Sequence, residues 1–281
     1  MDDVRRHPVR WYCIIVFAIS WGGMLLTVGG PSGLPGTPQL VDALFAVALL
    51  GMLAGPTVSG ILMTALADGR AGIRDVASRL IRWRVGGRWY AAALLVTPLA
   101  MGAVPLVISW TRPAFLPGIV ASADRAALVQ FSLVAGMMAG VFEELGWTGF
   151  AIPHLLRHRS VLRTGLIVGA LWAVWHFIIN VWTSGDASGA LDLPLFLHSL
   201  VFSVGILTAY RVLMVWVYNE TRSLLLAILM HMSLTTGNIL FVPLSMVEWT
   251  GLWWSVTVAT AFWTLVALVA RYSKGGLSQQ P

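Results

Sequence analysis

Residues 140–153 read GVFEELGWTGFAIP, and two adjacent carboxylates stand there inside an apolar run. Gly140, Val141 and Phe142 precede Glu143 and Glu144, and Leu145, Gly146 and Trp147 follow them. If the stretch lies in a membrane, each charge is expensive to hold there without a compensating partner. The fold therefore turns on what surrounds it.

Around it the chain is apolar almost throughout. Of 281 residues, 58% are hydrophobic and 11% charged, and the mean hydropathy is +0.80. A soluble domain has about a quarter of its residues charged, so this composition defines an all-α integral membrane protein. Residues 1–281 read as a single polytopic membrane domain. A bilayer-crossing helix needs about 20 residues, and eight runs qualify, near 11–29, 40–67, 89–109, 126–152, 164–183, 193–216, 222–242 and 249–270. The second carries Gly55-Pro56, which predicts a kink or a tilt. The first follows Arg5, Arg6 and Arg10 and lacks a small-x-small cleavage site, so it reads as a retained span. The lone Cys13 reads as a core or lipid-facing thiol.

Basic residues orient such a bundle. With both termini in the cytoplasm, the inside segments hold Arg5, Arg6, Arg10, Arg70, Arg74, Arg79, Arg82, Arg84, Arg88, Arg157, Arg159, Arg163, Arg211, Arg222, Arg271 and Lys274, which are 16 of the 18 Lys and Arg. Arg112 and Arg125 fall outside. The net charge of +6 is then a topology signal for a multi-pass protein of the cell membrane, in contact with lipid and not nucleic acid. Residues 72–85 form one amphipathic surface helix, with Ile73, Val76, Ala77, Leu80 and Ile81 on its apolar face and Arg74, Asp75, Ser78, Arg79 and Arg82 opposite. The tail 273–281, SKGGLSQQP, reads as flexible.

Few ionisable residues lie deep in the spans: Glu143 and Glu144 on the fourth, His176 on the fifth and His231 on the seventh. Interfacial solvation is enough for Asp42, Asp68 and His198. At about 1.5 Å per helical residue, Glu143 and His231 each lie roughly 14 Å from the cytoplasmic end and His176 roughly 18 Å. Their agreement in depth points to one site opening toward the cytoplasm. A carboxylate in a dry site is a competent base near neutral pH, and a neutral imidazole can polarise water or stabilise an oxyanion. Adjacent helical glutamates diverge by about 100°, so Glu143 is assigned to the water and Glu144 to support, with the reverse left open. Glu143, His176 and His231 could instead hold a divalent metal such as zinc, although the spacing is not that of a metal motif. Trp147, Trp172 and Trp175 read as the packed wall.

At EELGWTGFAIP, LWAVWHFIIN and SLLLAILMHMSLTTGN the chain resembles the CPBP family. These are intramembrane CAAX-protease and bacteriocin-processing proteins, also described as glutamic endopeptidases. The resemblance spans roughly residues 60–242. It implies a hydrolase built as an eight-helix bundle with a conical, cytosol-facing cavity and no required cofactor. It makes Glu143 the base, Glu144 its partner, His176 an assistant to the water and His231 part of the oxyanion site. Two positions depart from the pattern. Thr148 stands where the family has Arg, and Thr235 where it has Asn or Asp one turn after the last His. Asn238 and Asn180 are the substitutes at hand. Without its helix-neighbour cation, Glu144 must be protonated or paired from elsewhere, Arg211 being one source.

Three functions fit. The first is an endopeptidase acting on a peptide or protein at the membrane. The second is a catalytically silent relative that binds, scaffolds or confers immunity, which the Thr148 and Thr235 departures favour. The third is a proton- or cation-coupled transporter, against which stands the lack of repeated halves.

Overall fold

The computed structural model describes residues 2–244, 249–273 and Leu277. Among these, eight helices are long and apolar enough to cross a membrane, and a ninth is short and polar. In chain order they are α1 (Pro8–Val28), α2 (Pro38–Ala67), the short α3 (Gly69–Leu80), α4 (Gly87–Ser109), α5 (Arg125–Leu156), α6 (Val161–Trp182), α7 (Leu193–Thr221), α8 (Leu224–Phe241) and α9 (Thr250–Tyr272). Each expected span has its helix, with ends displaced by a few residues. The tail expected to be flexible lies outside the described residues, save Ser273 and Leu277.

The chain goes back and forth, so its connections gather at two ends. At one end His154 lies 3.3 Å from Asp68, Ser223 donates to the Arg82 carbonyl at 2.6 Å, and the Leu162 N–H donates to Leu277 at 3.0 Å. This is the terminal end. At the opposite, distal end the Gly36 N–H donates to the Trp182 carbonyl at 2.9 Å, and Gly118 lies against Val242.

Proline explains two features of the packing. Pro56 interrupts α2 without ending it. It has no N–H for the Met52 carbonyl four residues back, and the Ser20 hydroxyl of α1 donates there instead at 2.7 Å. A freed backbone group in a span is re-satisfied by a neighbouring side chain. In α5 the turn Trp147–Ala151 widens to π geometry, and Pro153 follows. The Thr148 and Gly149 carbonyls left over are taken by Arg79 of α3, whose guanidinium donates at 3.4 and 2.9 Å and also reaches the Tyr218 hydroxyl at 2.8 Å.

Arg79 is therefore buried, a correction to its place on a solvated helix face. Amphipathic periodicity cannot tell a charged side chain in water from one committed to backbone carbonyls of another helix. The helix also ends at Leu80, short of the expected residue 85. Ile73, Ala77 and Ile81 of its apolar stripe remain exposed.

Two close helix contacts set the position of the carboxylates. A Cβ at Gly146 of α5 would lie 2.2 Å from the Pro56 carbonyl oxygen of α2, and one at Gly140 would lie 2.7 Å from the Ile228 carbonyl oxygen of α8. Small residues let backbones approach this closely where lipid supplies no hydrophobic drive between helices. Glu143 and Glu144 sit between these two contacts, where α2, α5 and α8 converge.

Candidate active site

Glu144 is fully buried and fully partnered. Nη1 of Arg211, from α7, donates to both its oxygens at 2.9 and 2.8 Å. The Thr148 hydroxyl, one turn along α5, donates to Oε2, and His231 Nδ1 bonds Oε1 at 2.7 Å. The missing arginine on α5 is thus replaced by a hydroxyl in place and a cation from another span. Of the two states expected for Glu144, the arrangement is the paired one. Arg211 is itself wholly buried at the level of the glutamates, which corrects its count among the cytoplasmic charges. A window of apolar residues marks a span but does not say where along it a cation sits.

Glu143 has a different environment. One oxygen accepts from the Trp172 indole N–H at 2.7 Å, and the other lies 3.7 Å from His231 Nε2. One imidazole therefore spans both carboxylates, with Nδ1 committed to Glu144 and Nε2 turned toward Glu143. The helical divergence separates the two glutamates, and His231 rejoins them. His176 Nδ1 bonds the Trp172 carbonyl at 2.9 Å, which aims the ring.

Trp172, read from sequence as wall, proves central. Its ring covers the Arg211 guanidinium, 3.9 Å from the ring centre, a cation–π contact that helps hold the charge in an apolar interior. It also lies 5.0 Å from the His231 ring centre and edge-on to it. The spacing Trp172-x-x-x-His176 was the available signal, since residues four apart share a helix face.

Glu143, Trp172, His176 and His231 all line one cavity of about 600 Å³, together with Thr235, Asn238 and Asn180. The Asn180 amide is held by Ser203 at 2.8 Å, whereas Asn238 Oδ1 has no partner among the described residues. Thr148 does not reach the cavity lining, being committed to Glu144.

Among the described residues no three His, Cys, Asp or Glu side chains group at metal-holding spacing. His231 Nδ1, His176 Nδ1 and one Glu143 oxygen are engaged, which leaves His231 Nε2, His176 Nε2 and the other Glu143 oxygen as the atoms a metal would need.

Interfacial solvation, expected for His198, also needs correction. His198 is buried, bonded through Nδ1 to the Gly251 carbonyl at 3.0 Å and to Ser255 at 2.7 Å. Asp68 faces His154, a buried histidine that the depth survey missed.

The cavity occupies one half of the bundle. Its lining is drawn from 45–53 of α2, 131–143 of α5, 172–183 of α6, 198–207 of α7 and 231–239 of α8. Every one of these segments runs from the glutamates toward the distal end. The termini and the arginine-rich connections lie at the other end. Depth alone located the site along each helix but carried no information about which half of the bundle is hollow.

The fold and site define a polytopic helical membrane bundle with a glutamate and two histidines on one interior cavity. The comparisons narrow the class. Residues 125–237, which contain all of Glu143, Glu144, His176, Arg211 and His231, match the family model of the type II CAAX prenyl endopeptidases, Rce1-like. The chain is 28% identical over 96 residues to CAAX prenyl protease 2 of Methanococcus maripaludis, a stretch covering 34% of this chain and 35% of that protein. The segment that holds the site thus matches the Rce1-like group of CAAX prenyl endopeptidases. The match spans about a third of the curated relative's length.

Proposed function

We propose that this chain is an intramembrane endopeptidase that hydrolyses a peptide bond with water activated by Glu143. The observation that carries the reading is the unequal treatment of two neighbouring carboxylates. Glu144 is neutralised and immobilised by Arg211, Thr148 and His231, whereas Glu143 keeps an oxygen toward the cavity opposite His231 Nε2.

The roles follow from these positions. A water between the Glu143 carboxylate and His231 Nε2 gives its proton to Glu143 as its oxygen attacks the carbonyl carbon of the substrate. His231, its Nδ1–H committed to Glu144, holds the water at Nε2, and the cavity-facing Thr235 hydroxyl and Asn238 amide are the donors for the developing oxyanion. His176 is the second imidazole for the water. As the C–N bond breaks, Glu143 returns the proton to the leaving amine, so the carboxylate is regenerated. Trp172 fixes the oxygen of Glu143 that does not face the water.

The Thr148 departure, which favoured a silent binding protein, loses its weight once Arg211 supplies the cation. Nothing in this cycle needs a metal, so cleavage is expected to persist after exhaustive chelation. The test is purified protein with membrane-inserted peptides. Glu143→Ala, His176→Ala and His231→Ala should each abolish or cripple cleavage, and cleavage surviving in all three would sink the assignment.

A further inference from the structure

A second cavity, of about 390 Å³, lies at the terminal end of the bundle. It is lined by Arg88, Trp89 and Ala92 of α4, Trp216 and Glu220 of α7, and Ser273 just past the end of α9. None of these residues lines the catalytic cavity, and the proposed hydrolysis uses none of them.

The helix ends place this cavity at the edge of the bilayer. Arg88 stands in the first turn of α4, Glu220 in the last turn of α7, and Ser273 caps α9, so three spans reach their polar ends together. Trp89 and Trp216 meet there edge to face, with ring centres 5.1 Å apart. Tryptophan favours this depth, where an amphipathic ring meets lipid headgroups. The Arg88 guanidinium lies over Trp89, 5.0 Å from the ring centre, which holds the cation against the wall.

The charges say what the cavity takes. Arg88 and Glu220 have opposite signs and share one lining, yet no ion pair within 4.0 Å joins them, or joins either to another described residue. The Ser273 hydroxyl is buried and has no hydrogen-bond partner among the described residues. A guanidinium with a hydroxyl supplies donors for a phosphate. A carboxylate beside an indole ring is a seat for an ammonium group. A purely anionic ligand would gain at Arg88 and lose at Glu220, whereas a headgroup carrying both charges satisfies both.

The approach to the cavity is apolar. Leu95 and Leu99 follow Arg88 and Ala92 along one face of α4, at steps of three and four residues, and they are 54% and 60% exposed. An acyl chain lying on that stripe brings its headgroup to the cavity.

We infer that this cavity binds the headgroup of a zwitterionic phospholipid, with the phosphate on Arg88 and Ser273 and the ammonium between Glu220 and the Trp216 ring. The lipid then ties together α4, α7 and α9. The inference is independent of the peptidase reading.

The experiment uses the full chain, purified in detergent and stripped of lipid. Native mass spectrometry counts the lipid retained, and thermal unfolding gives the shift that each lipid produces. The probes are phosphatidylethanolamine and phosphatidylglycerol with identical acyl chains, and glycerophosphoethanolamine as the headgroup without chains. The expected result is one phosphatidylethanolamine per chain and a raised Tm, with phosphatidylglycerol held about fivefold more weakly, the scale of one charge contact at a membrane surface. Glu220→Gln should abolish that preference. Arg88→Gln should weaken both lipids, and Arg88→Lys should keep them. Arg88 and Glu220 are exposed, so these variants should unfold at the wild-type temperature when no lipid is present, and a lost shift reads on binding alone.

Equal retention of the two lipids by the wild type, or a preference that survives Glu220→Gln, overturns the zwitterionic assignment. Retention unchanged in Arg88→Gln overturns the site. Glycerophosphoethanolamine binding as tightly as the intact lipid overturns the lipid as ligand.

Discussion

His231 is the residue on which the site hinges, because one ring contacts both carboxylates. Its two nitrogens are not equivalent: Nδ1 is spent on Glu144 and Nε2 is left for the reaction. Glu143→Gln keeps the Trp172 contact and removes only the proton acceptor. It should leave folding unchanged while lowering turnover by about 10²–10⁴-fold, the range for a general base, as measured on a fluorogenic membrane peptide. Arg211→Ala acts differently, since it strands a buried carboxylate. Removing one partner of a buried pair costs about 3–5 kcal/mol. The variant should therefore fail to assemble or melt far lower in a detergent thermal shift, and Glu144→Gln in the same chain should recover part of the loss. If Arg211→Ala alone keeps both assembly and activity, the pairing has no role.

At the level of elements, positions are set where backbones touch. Gly140 brings α5 against α8 within three residues of Glu143, and its Cβ would collide with the Ile228 carbonyl oxygen. Gly140→Ala should push α8 away and stretch the His231–Glu144 bond. The expected outcome is a larger loss in kcat than in KM, with the protein still extracted as a folded monodisperse species. Arg79 tests the other junction. Because Pro153 leaves α5 carbonyls unbonded, Arg79→Met should cost about 1–3 kcal/mol for the acceptors stranded. The cost should be smaller in a Pro153→Ala background, where an N–H returns, and a double-mutant cycle by thermal unfolding measures the difference. Pro153 was in plain view in the sequence. What could not be read there was that its orphaned carbonyls face α3, because a pairing between distant helices has no local periodicity.

For the molecule as a whole, the eight spans were legible from hydropathy, because a bilayer demands long apolar helices irrespective of how they pack. Glu143, Glu144, His176 and His231 were legible because ionisable groups are conspicuous in such a background, and the structure brings all four to one region. Trp172 and His154 were not, since an indole or an imidazole near a span end has an adequate packing explanation. The direction of the cavity was also hidden. It depends on how five helices pack together, and no single helix encodes that.

The apolar lining of the cavity has a kinetic consequence. Its α2 and α5 wall holds apolar side chains by burial, so a cleaved piece that carries them leaves slowly. A lingering fragment obstructs the next arrival, and accumulated product should raise the apparent KM while leaving the maximal rate untouched.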